Sequence, residues 1–313
     1  MWNLEHPPPN KQREALALIA AAGRSGTDVD RATDALEAFF TSNSAGSPSR
    51  VATAAGAVSA TLWWASENDT ARAAVLVVFS PGRTALLLHS SAQDGIVPPA
   101  ALADVLAAAA DEALARRVTI VQALLAPTAH LDIRAYGDAG FAALAELIYM
   151  RTPLSDATGP TGETALTYRT YSAATHDDFA TAITDTYAGS LDCPALTGLR
   201  DIGDVLVSHK ATGIFRPDMW SIAYSDGHPA GVLLLNENTS AQAAEIVYMG
   251  VGKQYRGRHM GRDLVQYAAA VARRHRFDAL CLAVDAANTP ALRVYKAAGF
   301  IETHRRLAYM KTQ

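Results

Sequence analysis

Two nine-residue stretches, 159 residues apart, constrain this chain more than any other feature. Ile133 to Phe141 reads IRAYGDAGF and Leu292 to Phe300 reads LRVYKAAGF, so Arg134, Tyr136, Gly140 and Phe141 match Arg293, Tyr295, Gly299 and Phe300. The surroundings repeat as well. An alanine-rich amphipathic helix and then an apolar strand precede each stretch: Ala100–Arg117 with Val118–Leu125, and Gly261–Arg276 with Ala279–Val284. Each Gly-Phe leads into a strand, containing Tyr149-Met150-Arg151 or Tyr309-Met310-Lys311. The shared order of helix, strand, helix, Gly-Phe and strand predicts a duplicated unit, each copy an α/β structure with a mixed sheet.

A length of 313 residues suits two domains, and an apolar half of the composition gives each a core. Ser42 to Arg50 (SNSAGSPSR) is turn-rich and separates early helical patterns from a strand-like region. Arg151 to Glu163 (RTPLSDATGPTGE) is the better linker, combining Pro, Gly, Ser and Thr without periodicity. The expected organisation is therefore 1–151, a linker at 152–166, and 167–313. A net charge of −4 gives no reason to expect a nucleic-acid partner. Cys193 and Cys281 form no CxxC pair, and the histidines show no HxxxH spacing, so no metal is expected. The opening MWNLEHPPPN is unlike a signal peptide, and no apolar run reaches the roughly 20 residues of a membrane span. A cytoplasmic location is expected.

The second half carries the chemistry. Strands are expected at Thr167–Tyr171, Trp220–Tyr224, Pro229–Leu235, Glu245–Val251 and Ala279–Val284, with helices at His176–Tyr187 and Leu199–His209. Glu245 to Leu264, EIVYMGVGKQYRGRHMGRDL, runs from strand through a glycine- and arginine-rich turn into a helix. Leu264, Val265, Ala268, Val271 and Ala272 form one buried stripe on that helix. A helix N-terminus offers free N–H groups and partial positive charge to an anion. Gly257 and Gly261 allow close backbone approach, and Arg256, Arg258 and Arg262 add charge. The turn is not a P-loop, because Arg258-His259 stands where Lys and Ser or Thr are needed. It is not a dinucleotide turn either, because Tyr255 replaces the third glycine.

The segment resembles the GCN5-related N-acetyltransferase (GNAT) superfamily. The family's pyrophosphate pattern, Gln/Arg-x-x-Gly-x-Gly/Ala, maps onto Gln254, Gly257 and His259, the last a departure where a helical backbone is expected. The second family marker is Asn288 to Phe300, NTPALRVYKAAGF. The resemblance implies tandem acyl-CoA N-acyltransferase domains, somewhat similar in arrangement to mycothiol synthase. It implies that acetyl-CoA lies between the splayed strands Glu245–Val251 and Ala279–Val284. Backbone groups of Met249, Gly250 and Val251 would pair with pantetheine, with a strand bulge expected at Gly250. The pyrophosphate would lie over Gln254 to Arg262, Met260 included, with Asn288 either near the cofactor or capping the next helix. Tyr295 is the implied general acid for the leaving thiolate and Glu245 the implied base; packing beside Phe300 and an exposed strand start are the alternatives. Asp192 and Cys193 fall in the implied substrate loop.

The first half lacks the equivalent turn. Ser90 to Ala101 has no arginine, and Asp94, Pro98 and Pro99 oppose a phosphate site. It reads as a degenerate copy. The implied reaction is acetyl transfer to a primary amine, of a small molecule or a peptide N-terminus, by a monomer or homodimer without a metal. Two alternatives are a non-catalytic acyl-CoA sensor or scaffold and an amino-sugar or thiol-biosynthesis acetyltransferase.

Overall fold

The computed structural model describes residues 2–44, 52–53, 56–154 and 166–313. Most of the expected linker, and most of the Ser42–Arg50 stretch, lie outside these. The chain forms two compact units: Met1–Leu144 with Leu307–Gln313, and Ala145–Arg306.

The first unit runs β1 (Asn3–Glu5), α1 (Gln12–Ala20), α2 (Thr27–Asn43), a short hairpin β2 (Ala52–Thr53) and β3 (Gly56–Ala57), then β4 (Ser59–Glu67), β5 (Thr70–Ser80), β6 (Thr84–His89), α3 (Pro99–Ala115), β7 (Ile120–Leu125) and α4 (His130–Asp138). The strand β8 (Ala142–Pro153) then leads into the second unit. There follow β9 (Thr167–Thr170), α5 (His176–Tyr187), α6 (Ile202–Ala211), β10 (Ile214–Ser225), β11 (His228–Asn238), β12 (Ala243–Val251), α7 (Met260–Arg274), β13 (Ala279–Asp285), α8 (Thr289–Ala297) and β14 (Ile301–Lys311).

The two units repeat one topology. In the first, the ladder runs β1-β4-β5-β6-β7 and closes on Leu307–Lys311 of β14. In the second it runs β9-β10-β11-β12-β13 and closes on Leu147–Pro153 of β8. Each contains one parallel pair, β6/β7 or β12/β13, joined through a helix as parallel pairing requires. Even the hairpins agree. Asn68-Asp69 and Asp226-Gly227 both hold positive φ angles in two-residue turns, the geometry that matches strand twist.

The expected division at 151 and 167 follows the chain, whereas the compact units do not. The strand ending each half closes the other unit. The motif before it is a helix terminator in both copies. Gly140 and Gly299 adopt φ of 82° and 86°, and Phe141 and Phe300 donate their N–H to Tyr136 and Tyr295 carbonyls, each at 3.0 Å.

In the second unit the expected stripe on α7 is buried against Leu233, Leu235, Ile246, Leu280 and Leu282. The other face packs Phe179, Ile183 and Leu206 of α5 and α6 on Trp220, Ile222, Val232 and Leu234. Burying each such large side chain contributes about 1.5–3 kcal/mol. Helix α6 begins at Ile202, not Leu199, because the Asp201 carboxylate accepts the Gly203 N–H and caps it there.

Candidate active site

The parallel pair of the second unit comes apart. β12 and β13 pair only from Ala244–Leu280 to Ile246–Leu282, although β12 continues to Val251 and β13 to Asp285. The cause lies on the other edge of β12. Against β11, Leu235 faces Ile246 and Leu234 faces Tyr248, which leaves Val247 as an extra residue. A bulge bends and twists its strand, and here it turns β12 away at the residue where pairing with β13 ends. The bulge expected at Gly250 is thus at Val247. Gly250 is in regular register with Val232 and is glycine for another reason. A Cβ there would lie 2.6 Å from the Cβ and Oγ1 of Thr186 on α5.

The Gly252 N–H donates to Ala230 of β11. Alternation along the strand turns Gly250 the same way and points the amides of Met249 and Val251 into the gap. The side chains of Met249 and Val251 pack on the α7 side of the sheet.

Beyond the gap lies the turn. Gln254 is exposed within a 3-10 turn, Lys253–Tyr255. Gly257 holds φ 78°, and His259 holds φ 62° and ψ 2° immediately before Met260. His259 is therefore left-handed rather than helical, a conformation that costs a non-glycine residue on the order of 1 kcal/mol. Met260 is buried, and a Cβ added at Gly261 would lie 3.5 Å from Val294 of α8. Arg258 and Arg262 are exposed.

Arg256 has a structural part that the sequence did not suggest. Its guanidinium donates to the carbonyls of Thr186 (2.7 Å), Gly189 (2.9 Å), Ala188 (3.0 Å) and Val251 (3.1 Å). It ties the C-terminus of α5 to the end of β12 through four of its five N–H donors. Asn288 takes the capping alternative: its side-chain oxygen accepts the Ala291 N–H at 3.4 Å.

Tyr295 is 6% exposed and its ring packs beside Phe300, with ring centroids 5.6 Å apart, as the alternative reading expected. Burial and the nearby Asp192 carboxylate hold its pKa above the ordinary value, so the proton stays on the oxygen. The Glu245 carboxyl is pushed upward by burial, opposed by the Asn238 side-chain N–H at 2.8 Å. It lies one residue before the gap opens. The loop after α5 reaches the end of β13. The Cys193 N–H donates to Asp285 Oδ2 at 3.1 Å, and the Asp285 N–H donates to Asp192 at 3.5 Å. Burial first, then both neighbouring carboxylates, push the Cys193 thiol to about 12, which keeps it protonated and inert as a nucleophile. Sequence reasoning missed the Thr186–Tyr248 hydroxyl pair at 2.6 Å and the part played by Asp285. Neither carries a sequence signal, because both depend on how α5 and its loop dock on the sheet.

Residues 195–300 match the family model described as the acetyltransferase (GNAT) family. Over those residues the chain is similar to the GNAT acetyltransferases. The GNAT match takes in the divided strands, the turn and Tyr295, and begins just after Asp192 and Cys193. Among solved structures, a GCN5-related N-acetyltransferase from Sphaerobacter thermophilus shares the fold with TM-score 0.61 at 20% identity, covering 99% of this chain and 95% of its own. A tandem GNAT protein from the clavulanic acid biosynthesis pathway does so with TM-score 0.54 at 16% identity, covering 100% and 98%. No curated protein matches the sequence. Among the described residues no helix is long and apolar enough to cross a membrane, and no group of His, Cys, Asp or Glu could hold a metal ion.

The first unit has the GNAT strand order but a different centre. β5 and β6 run in unbroken register from Ser80–Thr84 to Val75–His89, without the bulge. Beyond the β6/β7 pairing, Asp132 of α4 accepts the Ala92 N–H at 2.7 Å and the Ser91 hydroxyl at 2.8 Å, pinning the exit of β6. Tyr136 is fully buried, edge-on to His89 at 5.2 Å, and its hydroxyl has no partner.

Proposed function

We propose that this protein transfers an acetyl group from acetyl-CoA to a primary amine within a ternary complex, at the gap between β12 and β13. The observation that carries this reading is the parting of β12 and β13 after Ile246–Leu282, with the glycine turn and α7 following directly from β12. The Tyr295 phenol, held protonated by burial and the nearby Asp192 carboxylate, could give its proton to a departing thiolate. The open amides of Met249 and Val251 suit pantetheine and a developing oxyanion. The glycine turn and first turn of α7, with Arg258 and Arg262, suit the pyrophosphate.

In this reading the amine nitrogen attacks the thioester carbonyl carbon and the carbon–sulfur bond breaks. Tyr295 gives its proton to the sulfur, and the nitrogen loses one, through water, to Glu245. The raised pKa of Glu245 makes it a better base than an exposed glutamate. The first unit serves as a degenerate copy that binds no CoA, its β6 exit held by Asp132.

Release of free CoA from acetyl-CoA, followed across a panel of amines, tests the proposal. Turnover is expected to fall as pH drops through the raised pKa of Glu245, because the base must be ionised. Glu245→Gln should remove that acid limb, and Tyr295→Phe should lower kcat by about 100-fold while leaving CoA affinity within a few-fold. CoA binding with no turnover of any amine, and no effect of Tyr295→Phe on activity toward any acceptor, would replace this reading with a non-catalytic CoA-binding role.

A further inference from the structure

Residues Tyr248 to Val251 of β12 have a neighbouring strand on one edge only. Their ladder with β11 runs from Leu234–Tyr248 to Gly231–Val251, while pairing with β13 stops at Ile246–Leu282. A stretch with one free edge has fewer contacts to fix it than one paired on both sides. The amides it turns toward the gap therefore need support from a face of the sheet.

That support is the last turn of α5. Thr186, 3% exposed, stands against the backbone of β12 at Gly250, where an added Cβ would lie 2.6 Å from its Cβ and Oγ1 and 2.9 Å from its Cγ2. The point of contact falls between Met249 and Val251, the two residues whose amides face the gap. Thr186 Oγ1 also meets the Tyr248 hydroxyl at 2.6 Å. Counting protons gives the direction of that bond. The threonine hydroxyl has one hydrogen and donates it to the Ile183 carbonyl at 2.6 Å, so Tyr248 is the donor and Thr186 the acceptor. Tyr187 and His209 flank the Tyr248 ring, with centroids 5.9 and 5.5 Å away. The Thr186 carbonyl in turn accepts from Arg256 at 2.7 Å. One threonine is thus bonded both to the strand that borders the gap and to the turn that leaves it.

We propose that Thr186 is a positioning residue for acetyl transfer: through Tyr248 and its seat at Gly250 it sets where the Met249 and Val251 amides stand relative to the thioester. This rests on the acetyl-transfer reading and adds to it a residue outside the matched family segment. Donors stabilise a developing oxyanion only from fixed places, and a misplacement of about 1 Å costs up to about 100-fold in rate. A hydroxyl pair that touches no substrate acts on turnover in this way.

Steady-state kinetics of the full-length protein, with acetyl-CoA and the best-used amine of the panel, test this when rates are expressed per folded molecule. Thr186→Val keeps the side-chain shape and removes the acceptor. It should lower kcat about tenfold while raising KM for acetyl-CoA less than about threefold, because the glycine turn is untouched. Thr186→Ser restores the oxygen and should bring kcat back to within about threefold of the unaltered protein. Tyr248→Phe should match Thr186→Val, and the double variant should be no slower than either, since both remove the same bond. A bond that only stabilises the fold would lower the melting temperature and leave kcat unchanged. That result, or a Ser variant as slow as the Val variant, overturns this inference while leaving acetyl transfer intact. If the Val variant does not fold, Tyr248→Phe and Thr186→Ser decide on the same terms. Turnover of no amine by the unaltered protein overturns the underlying reading, and this inference with it.

Discussion

Arg256 and Arg258 stand two residues apart in one basic turn and do different work. Arg256 donates to four carbonyls at the α5–β12 junction, whereas Arg258 is exposed in the glycine turn. From sequence the two were indistinguishable, since nothing local says which guanidinium folds back on a helix end 67–70 residues earlier. Arg256→Ala should therefore destabilise the protein by about 1–3 kcal/mol through orphaned carbonyls, and raise KM for the amine because the Asp192 loop follows directly from α5. Arg258→Ala should instead weaken acetyl-CoA binding several-fold, more at low salt than at high, with the melting temperature nearly unchanged. Thermal melts beside separate KM values for the two substrates make the comparison. A similar loss of CoA affinity in both variants, with no loss of stability in the first, would return Arg256 to the phosphate site.

At the level of elements, α4 and α8 end on the same motif. Glycine and phenylalanine serve the same architectural purpose in both, closing the helix with a 3.0 Å bond from Phe to Tyr backbone. Both tyrosine rings pack on the phenylalanine of their motif, but Tyr136 is fully buried and also meets His89, whereas Tyr295 keeps 6% of its surface exposed. Tyr136→Phe should accordingly stabilise the first unit by about 1 kcal/mol, because it removes a buried hydroxyl that has no partner. A lower denaturation midpoint would show that the hydroxyl has a partner after all. The repeat, the stripe of α7 and the full extent of α5 were legible in the sequence because each is written in local periodicity and caps. The bulge at Val247 was not. It is a matter of register between β11 and β12, and Gly250 was the misleading cue, being small to admit Thr186. His259 was legible as an exception in the turn, and it holds a positive φ there.

At the level of the whole chain, the exchange of closing strands changes what counts as a folding unit. The first unit's β7 is bordered by Leu307–Lys311, and Lys311 reaches Asp111 at 2.7 Å and the Ala139 carbonyl at 3.2 Å. The second unit's β13 is bordered by Leu147–Pro153, with Met150 2% exposed in its core. A split at the composition-based linker thus gives each fragment the wrong last strand and leaves an apolar interior edge unpaired. Such edges are prone to association and aggregation. Fragments 1–154 and 166–313 made separately should be poorly soluble or lack cooperative unfolding. Made together they should co-purify as one folded species, because each supplies the strand the other lacks. A stronger form of the test follows the units instead of the chain. Residues 1–144 joined by a flexible linker to 307–313 should fold alone, whereas 1–144 without that strand should not. Cooperative thermal unfolding of both versions at the same midpoint would show that the borrowed strand contributes nothing, and that the chain-order halves fold independently.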